Sequence, residues 1–281
     1  MENGIAFWRD SALGVRGVDL LVAHETGHQF PEHFHDEFVV SVFEAGCQRH
    51  RISNRESFAT PGSLVVIRPG EPHTGEPAVS GGKWSHRAFY PDAETLTVVA
   101  NATFSGRETS NIDLPSTAVF DNYKVNDLIA ACHQAICHMP LEVVGLQHAF
   151  MRAMELLLVH YLFSGRSRRK TGFEPRAVQA AVDCMRARLD ETDLSVADIA
   201  ESAGLSRFYF MRSFRKTTGM SVHKYLTQIR LNAARGRLAR GESAADVACN
   251  CGFYDQSHLI RHFRLAYGTT PGRYTCDSRR R

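Results

Sequence analysis

Residues 195–204, Ser-Val-Ala-Asp-Ile-Ala-Glu-Ser-Ala-Gly, and residues 243–252, Ser-Ala-Ala-Asp-Val-Ala-Cys-Asn-Cys-Gly, are one pattern written twice. With one residue inserted in the second copy after its glycine, the match runs on. Arg212, Phe214, Arg215, Gly219 and Tyr225 fall on Arg261, Phe263, Arg264, Gly268 and Tyr274. So many agreements at one offset mark an internal repeat. In each copy a serine followed three residues later by an aspartate (Ser195 with Asp198, Ser243 with Asp246) has the form of a helix N-cap with a variant capping box. Ile199 and Val247 then point inward. Gly204 and Gly252 stand where a short helix must stop and the chain must turn, which glycine permits at positive φ. Ser206 and Asp255 are candidate caps for a second helix. Its buried stripe is Phe210 with Phe214 in the first copy and Leu259 with Phe263 in the second, each pair spaced i, i+4. Each copy therefore reads as a helix-turn-helix, at about residues 195–216 and 243–266.

The second helices leave a basic face outward: Arg207, Phe208, Met211, Arg212 and Arg215 in the first, and Gln256, Ser257, His258, Ile260, Arg261 and Arg264 in the second. Such faces can touch base edges and phosphates. A lone arginine-bearing helix is more simply a solvated surface, and the duplication is what turns the reading toward a nucleic-acid partner. Charge agrees. From residue 164 onward there are 22 Lys and Arg against 11 Asp and Glu, whereas residues 1–163 hold 11 against 19. A net charge of +3 thus hides an acidic amino half and a strongly basic carboxy half with the footprint of a phosphate-binding domain.

Residues 175–276 resemble the DNA-binding domain of the AraC/XylS family of bacterial transcription regulators. The most specific stretch is 251–274, Cys-Gly-Phe-Tyr-Asp-Gln-Ser-His-Leu-Ile-Arg-His-Phe-Arg-Leu-Ala-Tyr-Gly-Thr-Thr-Pro-Gly-Arg-Tyr. The resemblance implies base-facing places for Phe208, Met211 and Arg212 in the first reader and for Gln256, Ser257 and Arg261 in the second. Arg207 and Val222 depart from the family, standing where proline is common. Phe208 and Met211 are apolar where polar readers are frequent, which points to thymine methyls and shape, with Arg212 the guanine contact. Between the copies, residues 222–240 read as one helix with Leu226, Ile229, Ala233 and Leu238 on an apolar side. At about 1.5 Å per residue it is a rod on the order of 28 Å, long enough to hold two readers about one DNA turn apart. Pro175 begins a scaffold helix carrying Val178, Val182, Met185 and Leu189.

The amino half has short β-rich runs (18–23, 38–43, 49–53, 64–67) between Gly, Pro and Asn turns, as a small barrel or jelly roll requires. Gly27, His33, His35, Gly62, Pro69, Gly70 and His73 resemble the two motifs of the cupin fold, the fold of the family's sensor domains. Val39 and Val40 stand where the first motif should supply a carboxylate, and Pro77 replaces an asparagine. Three histidines can hold zinc or iron, but the missing carboxylate favours pocket or turn histidines and no metal or other cofactor. The expected effector site is His33, His35, His73 and Arg68, with Tyr90 and Trp84 as further pocket candidates.

Helices are expected at 123–137 and 143–163. The apolar excess of the second, with Leu146, Phe150, Met154, Leu157 and Tyr161 at helical spacing, and the family resemblance together imply a homodimer contact. Residues 164–174 read as a polar linker between an α+β sensor and dimerisation domain, residues 1–163, and an all-α DNA-binding domain, residues 175–281. No signal peptide or membrane span is evident, and seven cysteines without a Cys-x-x-Cys spacing fit thiols in a reducing cytoplasm. The whole implies a cytoplasmic, effector-controlled regulator that binds promoter DNA and works with RNA polymerase. Activation is implied by the resemblance. The competing classes are a metal-dependent cupin enzyme fused to a DNA-binding module, and an architectural binder without an effector.

Overall fold

The computed structural model describes residues 4–52, 55–104, 118–121, 123–138, 142–163 and 175–279. The expected linker, 164–174, and residues 280 and 281 lie outside them. The amino half comprises β1 (Gly4–Asp10), β2 (Val18–Thr26), β3 (Phe30–His33), β4 (Val39–Gly46), β5 (Gln48–Ile52), β6 (Arg55–Ala59), β7 (Ser63–Ile67), β8 (His73–Pro77), β9 (Trp84–Tyr90), α1 (Ala93–Thr103), β10 (Ala118–Asp121), α2 (Tyr123–His138) and α3 (Val143–Phe163). The strands form two antiparallel sheets, β1-β2-β9-β4-β7-β10 and β3-β8-β5-β6. This is the jelly-roll architecture expected, and the four runs read as strands correspond to β2, β4, β5 and β7.

Strand side chains alternate between faces, and the larger sheet is covered on both. Leu20, Val22, Val40, Val42, Leu64, Val66 and Phe89 face outward and pack with α1, α2 and α3. Their neighbours Leu21, Ala23, Val39, Phe43, Val65, Ile67, Ala88 and Tyr90 face the barrel interior. Two covered faces explain why these strands are runs of apolar residues instead of strict alternations.

The outer packing takes up most of the side chains expected at the dimer contact. Phe150, Met154 and Leu157 are fully buried among the sheet residues, and Leu146 packs against the same cluster. At roughly 1.5–3 kcal/mol for each large apolar side chain removed from water, the three buried residues stabilise their own domain, and Leu146 stays half-buried at its edge. The side chain of Tyr161 lies outside the described residues.

The carboxy half is helical: α4 (Pro175–Ala187), α5 (Val196–Ser202), α6 (Arg207–Thr218), α7 (Val222–Ala239), α8 (Ala244–Asn250), α9 (Gln256–Tyr267) and α10 (Pro271–Arg279). Ala181, Val182, Met185, Ile199, Phe210, Phe214, Leu226 and Ile229 form the core of the first helix-turn-helix. Further along α7, Leu231, Ala234 and Leu238 turn to a second core with Val247, Leu259, Phe263, Tyr267 and Tyr274. Hence α7 is a shared central helix as well as a spacer. A Cβ at its Gly236 would meet only the tip of the Arg240 side chain, in ordinary contact at 3.8 Å, and nothing in the structure explains why that residue is glycine.

The second core is continuous with the barrel interior. Phe7 of β1 stacks on Tyr267, with ring centroids 5.4 Å apart, and meets Tyr274 at 5.3 Å. Phe34, between the two histidines of the first cupin motif, is buried in the core of the other helix-turn-helix, 4.5 Å from the Tyr225 ring. Both DNA-reading units therefore rest on the barrel.

Candidate functional site

The helix-turn-helix geometry follows from local chemistry. Ser195 and Asp198 complete a reciprocal capping box: the Asp198 amide donates to the serine Oγ at 3.2 Å, and the Ser195 amide donates to the carboxylate at 3.0 Å. Ser243 Oγ likewise accepts from the Asp246 amide at 3.1 Å. At the tight turns, Gly204 and Gly252 have φ of 67° and 69°. Gly252 has a second constraint, since a Cβ there would lie 2.2 Å from the Leu189 carbonyl oxygen. The recognition helices start differently. Asp255 caps α9 by accepting from the His258 amide at 2.7 Å, whereas Ser206 makes no side-chain cap for α6.

The two reader faces are open. Arg207, Phe208, Arg212 and Arg215 are exposed on α6, and Gln256, Ser257, Arg261 and Arg264 on α9. Met211 and His258 are half-buried, Met211 against the first core. Phe208 is 81% exposed. Tyr254, in the turn before α9, is 86% exposed and was not among the residues expected on the DNA-facing surface. The signal was present as an aromatic in a polar turn. It borders a shallow recess with Asp255, Ser257, His258 and Arg261.

The arginines divide by role. None of Arg207, Arg212, Arg215, Arg261 and Arg264 makes an ion pair with a described residue. The scaffold arginines are committed: Arg188 to Glu191, Arg230 to the carbonyls of Leu189 and Glu191, and Arg237 to Glu242. Others face the barrel's acids. Arg186 meets Asp36 at 3.0 Å and Lys224 meets Glu32 at 3.6 Å, both solvent-exposed pairs of little energetic weight. Part of the charge asymmetry between the halves thus serves their contact, a use the sequence reading did not assign.

Arg235 of α7 is the buried member of this interface. Its Nε lies 3.2 Å from Asp19 of β2, its terminal nitrogen pairs with Glu37, and its guanidinium sits 5.7 Å from the Tyr267 ring centre. Burial opposes the charge, yet the fields of Glu37 and Asp19 outweigh it and hold the Arg235 pKa above its ordinary value. Asp19 also accepts from the Tyr274 hydroxyl at 2.8 Å and pairs with Arg9 at 3.4 Å.

The barrel interior narrows to a cavity of ≈ 40 Å³. Its walls include His33, His35, His73, His50, His86 and Tyr90 from the strands and their loops, and Ala266 and Tyr267 from α9. A reader helix therefore forms part of the cavity wall. Burial lowers the ring pKa of His33 to about 4, of His50 to about 4 and of His86 to about 3, and it places His35 and His73 well below their ordinary value. All five rings are neutral at pH 7. Arg68, by contrast, stands outside the cavity wall beside Glu71 at 3.7 Å, because its position follows the end of β7. Trp84 is buried next to the cavity, its indole N–H donating to His86 Nδ1 at 3.1 Å.

A jelly-roll sensor whose cavity is walled by one of two helix-turn-helix units defines a one-component, ligand-responsive DNA-binding protein. Residues 16–171 match the AraC-like ligand binding domain, and residues 199–276 match a helix-turn-helix domain. The chain belongs to the AraC family of transcriptional regulators. It is similar to the uncharacterized HTH-type transcriptional regulator YbfI of Bacillus subtilis, 26% identical over 233 residues that span 82% of each protein. It is also similar to the HTH-type transcriptional activator RhaS of Pectobacterium carotovorum subsp. carotovorum, 24% identical over 279 residues, 93% of this chain and 94% of that one. Its fold resembles unsaturated fatty acid bound wild-type ToxT from Vibrio cholerae strain SCE256, with a TM-score of 0.57 at 12% identity over 98% of this chain and 97% of that one. The family consists of regulators, and the fused-enzyme alternative is not favoured. Among the described residues no helix is long and apolar enough to cross a membrane.

Proposed function

We propose that the chain is an effector-controlled activator whose residues 1–163 sense and whose residues 175–281 read a promoter. In this reading Arg212 and Arg261 contact bases, Arg215 and Arg264 contact phosphates, and Phe208 and Tyr254 meet base methyls or sugar faces. It acts in the cytoplasm, as a homodimer, and recruits RNA polymerase. The name of the RhaS relative supports activation. With Phe150, Met154 and Leu157 buried, a second copy would meet the outer side of α2 and α3, where Leu128, Val143 and Val144 are exposed.

The observation that carries effector control is the shared wall: His33, His35 and His73 enclose the same cavity as Tyr267 of the second reader helix. Organic ligands occupy sites of roughly 300–1,000 Å³, and the cavity measures ≈ 40 Å³. An organic effector must therefore displace α9 from the barrel mouth. Occupancy of the cavity and docking of the reader compete, which couples one to the other. Phe34, whose chain neighbours are His33 and His35, carries the same movement to the first reader.

Binding-site selection from random duplexes by the full-length protein tests the DNA half of the proposal. Two half-sites about one helical turn, roughly 10 base pairs, apart are expected. Recovery of no enriched sequence at moderate salt would overturn it. For the effector half, Tyr267→Ala should weaken the response of promoter occupancy to inducing metabolites, and an unaltered response refutes the coupling.

A further inference from the structure

We infer that His33, His35 and His73 together bind one divalent transition-metal ion. One ligand nitrogen from each lies within 4.8 Å of the others, and the side chains are buried. Ring centroids are 4.2 Å apart for His33 and His73, 4.8 Å for His33 and His35, and 5.3 Å for His35 and His73. Two of the rings have their tautomers fixed. The Nδ1–H of His33 donates to the Pro31 carbonyl at 2.7 Å, and the Nδ1–H of His73 donates to the Glu71 carbonyl at 2.9 Å. A carbonyl only accepts, so the hydrogen must sit on Nδ1 and the lone pair on Nε2. An imidazole held by a backbone carbonyl at one nitrogen and free at the other is the arrangement in which metal-binding histidines are oriented.

Among the described residues neither Nε2 has a hydrogen-bond partner, and the buried Nδ1 of His35 has none either. The group therefore brings lone pairs together with no donor supplied to them by the described protein, and a cation meets that need. Zinc–imidazole bonds of about 2.0–2.1 Å place ligand nitrogens roughly 3.4 Å apart, a closure that small side-chain rotations supply. The donor set selects the class: three neutral imidazoles suit zinc, iron, cobalt, nickel or copper, and they do not suit magnesium or calcium, which take oxygen ligands.

Val39 and Val40 replace the carboxylate of the first cupin motif, which by itself tells against a metal. Three histidines with one open position are themselves a sufficient zinc shell. The nearby acid, Glu37, is committed to Arg235. The competing occupant of a ≈ 40 Å³ space is water, which makes hydrogen bonds but has no metal signature.

The test uses full-length protein stripped with a chelator and then titrated with Co²⁺ alone, followed by Zn²⁺ alone. The proposal expects visible Co²⁺ absorption saturating near one equivalent per chain, its displacement by Zn²⁺, and a higher melting temperature with either ion. His73→Ala and the gentler His73→Gln should each weaken binding by more than about 100-fold, beyond the 10- to 100-fold cost of losing an outer partner. His223→Ala, on an exposed face of α7, should leave binding intact. Folded wild-type protein that takes up less than about a tenth of an equivalent at micromolar metal would overturn the proposal, as would uptake unchanged in both His73 variants. DNA-site selection by the stripped protein is independent of either result, so failure of the metal site and failure of the regulator reading are distinguishable.

Discussion

Replacing Arg235 with alanine removes the one cation that Asp19 and Glu37 share, and strands both carboxylates against Tyr267, Tyr274 and the barrel wall. Breaking a buried ion pair by deleting one partner costs about 3–5 kcal/mol, because the surviving charge stays desolvated. Arg9 remains beside Asp19 but is partly exposed, which places the expected loss at the lower end of that range. The covalent chain still joins the two halves, and each keeps a core of its own, the outer sheet packing on one side and the first helix-turn-helix on the other. The loss should therefore appear as undocking of α7, α9 and α10 from the barrel before global unfolding. At 1.4 kcal/mol per factor of ten, the docked-to-undocked ratio should fall by roughly 150-fold or more. Scanning calorimetry should show a cooperative transition splitting in two, and small-angle scattering should show a larger radius. A triple variant, Arg235→Met with Asp19→Asn and Glu37→Gln, removes the charges together and should recover much of the loss. A single transition within about 2 °C of wild type for Arg235→Ala, a shift worth no more than about 1 kcal/mol, would refute the reasoning.

In the readers, Arg212→Ala or Arg261→Ala should relax preference at one or two base pairs, each in a different half-site, by about 1–3 kcal/mol of discrimination in binding-site selection. Arg215→Ala or Arg264→Ala should weaken specific and random DNA alike and reduce the salt slope of binding by about one phosphate; unchanged slopes would remove these residues from the phosphate contacts. Gly252→Ala and Gly204→Ala should differ although both have positive φ. Gly204 opens onto free space and should cost about 1–2 kcal/mol, while Gly252 adds a backbone collision and should cost more, as urea unfolding will report. Phe34→Ala should destabilise the full chain by about 3–5 kcal/mol, the cost of emptying a core phenylalanine site, and equal stability would show that its burial is incidental.

What the sequence made legible was local. Capping serines, turn glycines and i, i+4 pairs are read within a dozen residues, and the two helix-turn-helix units appear where those signals lie. The β runs were equally plain, because sheets covered on both faces write themselves as Val, Leu and Ile. The contacts between the halves were not readable. Arg235 meets Glu37 across 198 positions and Tyr274 meets Asp19 across 255, and no periodicity marks either partner. On α7 the expected stripe of Leu226, Ile229 and Leu238 is buried, but Leu231, Ala234 and Arg235 are buried as well, a second face that a single apolar stripe hides. On α3 the apolar surplus does not say what covers it, and Phe150, Met154 and Leu157 are covered by a sheet of the same chain. Arg68 was expected in the pocket and stands outside the cavity wall. A histidine at the start of a strand and an arginine past the end of another need not share a direction.

The barrel and the second reader hold one continuous core, and this has a bearing on engineering. Sensor halves of such regulators invite exchange at the segment between them, as though they were beads on a string. Here a grafted sensor would have to present an acid pair to Arg235, an aromatic to Tyr267 and Tyr274, and a plug equivalent to Phe34 to the first reader. A chimera cut at residues 164–174 without those matches would set a buried guanidinium and two tyrosines against a foreign wall. Interchangeability among relatives should track the residues at positions 7, 19, 34 and 37 more closely than it tracks overall identity.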